Sequence, residues 1–432
     1  MAIILSVMIA ILAILLVIGV PISFTFALSG IVGGLMAGFP IGTIASSPYY
    51  ALASFPFLAI PLFILAGEMM NQGKLIDRLT DLNELYLFWL PGRMGHIAIV
   101  SSAFLGAMTG SSVATVAAIG GSMGSKMIEK GYDRGYVAAL TAASGLLGVL
   151  IPPSIPLIVY GAAVGVSVAE LFLATLVPGI IMTVAYMFVH AMSLKKVLSK
   201  SNEAGQLELS TKINRELFHN AKSKVLKAIP AILMPVIILG GIYSGLTTPT
   251  EAAAAAGVYT LIIILALKLV VPKKLYGIFF SAAKTSGAIM CIIGFTSVFN
   301  KMMTLIQVPQ KIALFSVELT DNKYVFLIIV NVLLFLIGMF METNAAVVLM
   351  SPLLYPAAIA MGVDPVHFGI ILVTNIEIGL ITPPMAANIY VSARVNNSSV
   401  VEMWPYLAKF LVMSILVLLI ITYVPSLTLW WR

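Results

Sequence analysis

Long apolar stretches separated by short polar segments run through the whole chain and predict helices that cross a lipid bilayer. About 20 consecutive apolar residues are needed to span the hydrocarbon core of a membrane. The predicted crossings include residues 2–20, 135–165, 168–192, 228–246, 252–271, 278–302 and 324–340. The pattern therefore predicts an all-α polytopic membrane protein.

Residues 74–89 have a different, amphipathic pattern. Charged residues such as Asp77 and Asp81 recur at helical spacing, and apolar residues such as Leu79 and Leu82 fall between them. A helix with this pattern buries its apolar face and leaves its charged face in water. We expect residues 74–89 to form a helix that lies on the inner membrane surface.

A set of glycine, aspartate and proline residues occurs twice, and each residue of the second set follows its counterpart by 231 positions. The first set is Gly131, Asp133, Gly148, Pro152 and Pro153, and the second is Gly362, Asp364, Gly379, Pro383 and Pro384. This regularity indicates an internal duplication. Five predicted crossings, from 135–165 to 278–302, separate the two copies. An odd number places equivalent segments on opposite membrane faces, so the repeats are predicted to be inverted.

Both repeats contain a proline pair inside an apolar helix. Proline lacks a backbone donor and clashes with the preceding turn, so the helices at 135–165 and 366–392 are predicted to break at these pairs. The break frees carbonyl oxygens, and an unpaired polar group in hydrocarbon costs several kcal/mol. We therefore expect each break to be buried in protein, hydrated, or bound to an ion or a substrate.

An apolar segment with a polar interruption precedes each broken helix. The interruptions are Gly110-Ser111-Ser112 and Glu342-Thr343-Asn344, and Ser111 and Ser112 lie 231 positions before Glu342 and Thr343. We predict two re-entrant helical hairpins with these polar residues at their tips. Hydroxyl, amide and carbonyl oxygens at helix ends suit a sodium ion, and helix N-termini suit an anionic substrate.

Composition agrees with a membrane protein and excludes other classes. Of the residues, 60% are hydrophobic and 9% are charged, which is too few charges to cover a soluble domain. The net charge of +7 is concentrated in a basic segment at 193–227, which the positive-inside tendency assigns to the cytoplasm rather than to nucleic-acid binding. The single Cys291 and four scattered histidines exclude an internal disulfide and predict no metal site of the His/Cys type.

These motifs resemble those of one transporter family. The resembling pieces are Gly110–Ala114, Ile151–Pro156 with Tyr160-Gly161, Thr248–Ala253, Gly362–Gly369 and Gly379–Pro384. Together they occur in order over most of the chain. The sequence resembles the large membrane subunit of tripartite ATP-independent periplasmic (TRAP) transporters, within the ion-transporter superfamily.

The resemblance implies a sodium-driven elevator carrier in a bacterial inner membrane, in which a transport domain slides against a scaffold. It implies as partners a small four-helix membrane subunit and a periplasmic binding protein that delivers sialic acid, a C4-dicarboxylate or a related organic acid. The expected divisions are 1–93 (scaffold and arm), 94–192 (first hairpin and broken helix), 193–227 (basic loop), 228–322 (scaffold and second arm), 323–405 (second hairpin and broken helix) and 406–432 (C-terminal helix).

The resemblance also assigns residues by motif. One sodium site would use Ser111 and Ser112 with backbone near Gly148 and Pro152, and the other Thr343 and Asn344 with Gly379 and Thr382. The expected substrate-binding residues are Gly110, Pro153, Ser154, Glu342, Glu377 and Pro383. Many members of the family carry an Asp-Thr-Thr-like second tip. The Glu342-Thr343-Asn344 tip of this chain departs from it, so substrate identity does not transfer.

Three roles stay open for Glu377, because an acidic residue deep in a membrane helix is a functional candidate by default. It tunes a cation site, contacts the substrate, or pairs with Arg394. Three other functions also stay open. One is a channel, although the inverted repeat with two re-entrant tips suits alternating access better. A self-sufficient carboxylate or citrate carrier of the same superfamily has the same architecture. An intramembrane enzyme needs a base beside Ser111, but His96 and His367 lie at predicted helix ends, so we predict no enzymatic activity.

Overall fold

The computed structural model describes residues 2–198 and 221–432, so most of the predicted basic loop at 193–227 lies outside the described residues. The helices of the first part are α1 (Ala2–Ile18), α2 (Ile22–Met36), α3 (Ile41–Leu52), α4 (Ala59–Gln72), α5 (Leu75–Tyr86), α6 (Arg93–Thr109), α7 (Ser112–Glu129), α8 (Arg134–Ser144), α9 (Leu147–Leu150), α10 (Ile155–Val164) and α11 (Val168–Val197). Those of the second part are α12 (Ala221–Tyr243), α13 (Pro249–Ala266), α14 (Pro272–Leu305), α15 (Val308–Leu319), α16 (Lys323–Phe340), α17 (Thr343–Ala360), α18 (Pro365–Gly379), α19 (Ala387–Val395) and α20 (Val400–Tyr423).

The helices confirm the predicted class. Within the two described ranges, eight helices are long and apolar enough to cross a bilayer. Residues 134–164 form a ninth candidate, bent by 42° at the break before Ile155. The same ranges contain no β-strand, only an isolated bridge between Tyr132 and Leu198. The chain is a helical, multi-pass membrane protein.

Several helices extend beyond the predicted boundaries. The boundaries at 192/193, 227/228 and 405/406 fall inside α11, α12 and α20. Basic residues such as Lys195 and Lys222 continue the helices because long cationic side chains reach the aqueous interface while their stems stay apolar. Pro405 is accommodated near the start of α20.

The helices pack in two groups. In one group, α20 packs on α8 and α11, α19 on α7 and α8, and α18 on α16 and α17. In the other group, α2 packs on α14, α4 on α13, and α12 on α5 and α13. Helices α6, α10 and α17 of the first group also contact the second, so one extended face joins the two groups. Following the division expected from the sequence, we call the first group the carrier group and the second the scaffold group.

Helix α5 is the amphipathic segment of the sequence. Its apolar face is buried against α6 and α12, and Glu84 on the polar face forms an ion pair of 2.9 Å with Lys224 of α12. Burial raises the pKa of Asp81 on the same helix above its usual value. The helix therefore packs between α6 of the carrier group and α12 of the scaffold group, with one partly exposed ion pair beside it.

The two ends of α11 show where the broken helices begin. At one end, the backbone N–H of Asp133, just before α8, donates to the carbonyl of Val197 over 2.9 Å. At the other end, Arg432 forms ion pairs with Glu170 and, at 2.6 Å, with Asp364, which caps the start of α18. Because α11 is long enough to cross a membrane, α8 and α18 begin at opposite ends of the bundle.

Candidate functional site

The first polar tip joins α6 to α7. Gly110 ends α6 with a φ of +60°, a backbone conformation that favours glycine. Ser111 then caps α7, its hydroxyl accepting from the backbone N–H of Ala114 over 3.4 Å. The Gly110 carbonyl accepts from the backbone N–H of Ile155 over 3.2 Å, which attaches the tip to the start of α10.

The second polar tip joins α16 to α17. Its cap is Glu342, which occupies the position 231 residues after Ser111. One carboxylate oxygen accepts from the backbone N–H of Ala345 over 3.1 Å, and the other accepts from the side-chain amide of Asn344 over 2.7 Å. An acidic cap at a helix N-terminus is stabilised by the helix dipole. The Glu342 carboxylate thus has a structural role at the tip.

The first break separates α9 from α10 at residues 151–154. Pro152 and Pro153 are buried in protein, and the peptide bond between them is cis. The Leu150 carbonyl before the break accepts from the hydroxyl of Thr175 on α11 over 2.9 Å. A neighbouring helix therefore satisfies a carbonyl that the break leaves without its helical partner.

The second break separates α18 from α19 at residues 380–386, and the Pro383–Pro384 peptide bond is also cis. Pro383 is half-buried and Pro384 is exposed. The backbone N–H of Met385 donates to the Met339 carbonyl near the end of α16 over 3.2 Å. Backbone hydrogen bonds therefore join each tip region to the adjacent break.

Glycines bring each hairpin against a broken helix: Gly148 packs on the first tip and α7, and Gly379 packs on α16. A Cβ on Gly148 would lie 2.4 Å from the Thr115 hydroxyl and 2.8 Å from the Ser111 carbonyl. A Cβ on Gly379 would lie 2.3 Å from the carbonyl carbon of Gly338 on α16. No side chain fits at these two positions, which explains why both are glycine.

The tips meet at one small cavity, here called the central cavity. It is lined by Gly110, Ser111, Ser112, Val113, Val149, Ile155, Pro156, Ile289, Glu342, Thr343, Asn344, Glu377, Leu380 and Ala387. Seven of the lining residues are predicted site residues. Its volume of about 40 Å³ holds water or an ion but not an organic acid, since ligand pockets have about 300 Å³ or more.

The other predicted site residues lie behind the cavity wall. Gly148 and Pro153 contact the first tip, and Gly379 packs against α16. The hydroxyl of Thr382 is already bonded to the Ile378 carbonyl over 3.1 Å. The remaining predicted residues, Pro152, Ser154 and Pro383, lie in the two breaks.

Four of the buried oxygen atoms without a close hydrogen-bond partner belong to residues that line the central cavity. Among the described residues, both carboxylate oxygens of Glu377 are buried and make no close hydrogen bond, although the Ser112 and Thr343 hydroxyls lie near the carboxylate. The Thr343 hydroxyl and the Asn344 amide oxygen are also buried without a close partner. Glu377 itself is 1% exposed. A buried polar group without a partner costs about 1–3 kcal/mol, and a charged one more. The cluster therefore fits a cation that accepts several oxygen ligands.

The pairing of Glu377 with Arg394 is not present. Arg394 is exposed near the end of α19, and the side chains that lie near the Glu377 carboxylate are Thr343 and Ser112. The helix break between them separates the two residues. Of the three roles that the sequence left open for Glu377, the ion pair with Arg394 is wrong.

The sequence did not single out Asn388. Its side chain is fully buried in α19, and neither its amide oxygen nor its amide nitrogen has a partner among the described residues. Asn375, two residues before Glu377, also has an unpartnered amide oxygen. The sequence signal for Asn388 is a single amide side chain in an apolar half-helix next to the second break. An analysis of hydrophobic periodicity does not detect a single polar residue.

The buried histidines serve structural contacts away from the tips. His190 bonds to the Tyr136 hydroxyl at 2.6 Å and to the Gly92 carbonyl at 2.8 Å, and its ring packs on His96. His367 bonds to the Thr428 hydroxyl at 2.7 Å. None of these three histidines lines the central cavity.

The family model of the DctM component of the tripartite ATP-independent periplasmic transporter matches residues 9–427. The chain is 38% identical over 420 residues to the isethionate TRAP transporter permease protein DctMQ of Oleidesulfovibrio alaskensis, covering 96% of this chain and 64% of that protein. It is 35% identical over 380 residues to the C4-dicarboxylate TRAP transporter large permease protein DctM of Pseudomonas aeruginosa, covering 87% of this chain and 86% of that protein. Both relatives are named as transporter permeases and not as enzymes.

A solved structure has the same fold. The YdaH transporter of Alcanivorax borkumensis aligns with a TM-score of 0.59 and 15% sequence identity, covering 86% of this chain and 84% of that one. At this identity the likeness concerns the fold alone.

Proposed function

Because the chain belongs to the DctM family of TRAP transporter components, we propose that it is the large membrane subunit of a sodium-coupled importer of a small organic acid. The observation that carries the proposal is the cluster of unpartnered buried oxygens on Glu377, Thr343 and Asn344 beside the central cavity. Sodium accepts several oxygen ligands, and its charge offsets the cost of burying a carboxylate.

The proposed sodium sites follow the two tips. One site uses Ser111 and Ser112 with backbone near Gly148 and Pro152, and the contact of Gly148 with the Ser111 carbonyl supports this grouping. The second uses Thr343 and Asn344 with Gly379 and Thr382. It is supported by the unpartnered Thr343 and Asn344 oxygens. Glu377 shares the central cavity with both tips and would add negative charge to either site.

The proposed movement is of the elevator type. The division into a carrier group and a scaffold group supports it. The opposite starting ends of α8 and α18 support an inverted repeat. Helices α7 and α17 begin 231 residues apart, as do α8 and α18, which supports the same relation. Sodium would couple to transport by ordering the tips, so that the loaded site binds the organic acid more tightly.

The proposed cargo is an organic acid of the C4-dicarboxylate, sialic acid or sulfonate type, taken up across a bacterial inner membrane. A periplasmic binding protein would deliver it, and a small four-helix membrane subunit would complete the scaffold. The isethionate relative supports the small membrane subunit as a partner. The matched region is only 64% of that protein, which leaves room for a fused subunit.

The test is uptake of a panel of organic acids into proteoliposomes under a sodium gradient, with the binding protein and the small subunit supplied. We expect Ser112→Ala and Thr343→Ala each to raise the half-saturating sodium concentration about tenfold, since each removes an oxygen ligand worth about 1–2 kcal/mol. The control is Ser122→Ala on α7, whose hydroxyl bonds to the Ile119 carbonyl away from the tip.

Two outcomes would contradict the proposal. Unchanged sodium dependence in both Ser112→Ala and Thr343→Ala would contradict the assignment of the two sodium sites. Full uptake by the chain alone, without a binding protein, would favour the self-sufficient carboxylate carrier.

A further inference from the structure

A second, larger space lies between the scaffold and carrier groups, and we call it the outer cleft. It has a volume of about 600 Å³, against about 40 Å³ for the central cavity. The scaffold wall includes Thr43 and Tyr50 of α3 and Lys301 of α14, and the carrier wall includes Ala162 of α10 and Val348 of α17. The cleft therefore has room for an organic acid where the central cavity has none.

The outer cleft opens near the end of the molecule that carries the C-terminus. Ala162 lies at the end of α10, a few residues before α11 begins. The start of α11 is marked by the ion pair of Glu170 with Arg432. Under the proposed orientation this is the periplasmic end, from which cargo arrives.

The lining chemistry of the outer cleft favours an anion. Lys301 is exposed and, in the described part of the chain, forms no ion pair. None of the described residues that line the cleft is acidic. The hydroxyls of Thr43 and Tyr50, which have no hydrogen bond to another described residue, add two donors to the same wall. A cleft with one sign of charge and low-dielectric walls concentrates ligands of the opposite sign.

One hydrogen bond ties the two walls together. The side-chain amide of Asn300 donates to the Val348 carbonyl over 2.7 Å, while the Asn300 amide oxygen is buried without a partner among the described residues. The neighbouring Lys301 therefore sits where scaffold and carrier meet. An anion bound there lies at the boundary that carrier movement has to cross.

We propose that the outer cleft is a transient binding site for a small carboxylate or sulfonate anion, with Lys301 as its cationic residue, which the anion occupies before the carrier group takes it up. This inference rests on the proposed function. Lys301 is exposed to water, so the attraction is partly screened and the affinity is low. Low affinity suits a site from which the cargo has to move on.

The test uses the full-length chain in nanodiscs with the small subunit, in a Cys291→Ser background that removes the one native thiol. Ser47→Cys places a thiol in the cleft wall. Its reaction rates are measured with a sulfonate-bearing and a trimethylammonium-bearing methanethiosulfonate. The ratio of the two rates, anionic reagent over cationic reagent, is compared with the same ratio for a free thiol in solution. We expect this ratio to be about fivefold higher in the cleft, and high salt to reduce the difference.

The test variant is Lys301→Gln, and its matched control is Lys311→Gln, an exposed residue on α15 ten positions later. Lys301→Gln is expected to abolish the preference for the anionic reagent, and Lys311→Gln to leave it unchanged. An equal preference in both variants, or none in the parent, overturns the inference. If Ser47→Cys does not fold, Ser46→Cys in the same wall replaces it.

A transport measurement separates this inference from the proposed function. For any acid taken up in the sodium-gradient assay, Lys301→Gln is expected to raise KM about fivefold and leave the half-saturating sodium concentration unchanged. If Lys301→Gln shows sodium-driven uptake with an unaltered KM, the role of the cleft is overturned and the proposed function is not affected. Absence of sodium-driven uptake in the parent would overturn the proposed function, while the thiol reaction still tests the cleft.

Discussion

At the scale of single residues, the chemistry of the central cavity depends most on Glu377. Its carboxylate is almost fully buried, and neither oxygen has a hydrogen-bond partner in the described part of the chain. Glu342, the other acidic residue of the cavity, is already occupied with capping α17 and holding Asn344. Two acidic residues at one site thus have different roles: Glu342 caps a helix, whereas Glu377 faces the Ser112 and Thr343 hydroxyls at the cavity.

This difference predicts different effects of the same substitution. Glu377→Gln removes a negative charge that a cation would balance, so we expect the half-saturating sodium concentration to rise about tenfold or more. Glu318→Gln, on the exposed helix α15, is the charge-matched control and should leave it unchanged. The measurement is sodium-dependent uptake in proteoliposomes. Sodium dependence equal to that of the parent would mean that Glu377 is not part of a cation site.

At the scale of helices, the two breaks hold their shape because neighbouring elements satisfy the backbone around them. Thr175 of α11 bonds to the Leu150 carbonyl at the first break, and Met385 at the second break bonds to the end of α16. An unsatisfied carbonyl inside a membrane protein is costly, so these neighbours determine where an interrupted helix is tolerated.

The Thr175 hydroxyl should therefore stabilise the fold. Thr175→Val keeps the side-chain volume but removes the donor, and we expect a loss of about 1–3 kcal/mol in the free energy of unfolding. The control is Thr183→Val on the same helix, where the hydroxyl bonds only to its own helix at Gly179. Thermal unfolding of the two purified variants compares them. An equal effect of both would show that the bond at the break is not special.

The sequence predicted much of this local structure because proline, glycine and capping residues act over a few positions. The breaks at Pro152-Pro153 and Pro383-Pro384, and the tips at Ser111 and Glu342, follow from such local rules. Asn388 was not predicted, because its burial depends on packing between distant helices. The extension of α11 to Val197 was also not predicted. Hydropathy indicates which part of a helix lies in the hydrocarbon core, but a helix continues beyond that part into the aqueous interface.

At the scale of the whole molecule, the carrier and scaffold groups meet at several helix pairs, among them α14 and α17. The bond from Asn300 to the Val348 carbonyl crosses this boundary, whereas that from Arg78 to the Lys227 carbonyl joins α5 and α12 within the scaffold group. If the groups slide, the first contact must break in each cycle and the second must persist.

Reversible cross-linking distinguishes these two contacts. In the Cys291→Ser background, we expect a short cross-linker between Asn300→Cys and Val348→Cys to stop transport, and reduction to restore it. The same reagent between Arg78→Cys and Lys227→Cys should leave transport within about twofold of the unlinked protein. Continued transport with the first pair linked would contradict sliding at this boundary.

The most direct test of the account is the thermal stability of the purified full-length chain in sodium chloride and in potassium chloride of equal concentration. A bound ion stabilises only the folded state, so we expect sodium to raise the Tm by about 2–5 °C over potassium. The increase should disappear in a Ser112→Ala, Thr343→Ala double variant and persist in Ser122→Ala. Equal Tm values in the two salts, or a sodium effect that survives the double variant, would contradict the claim that the oxygens at the two tips bind sodium.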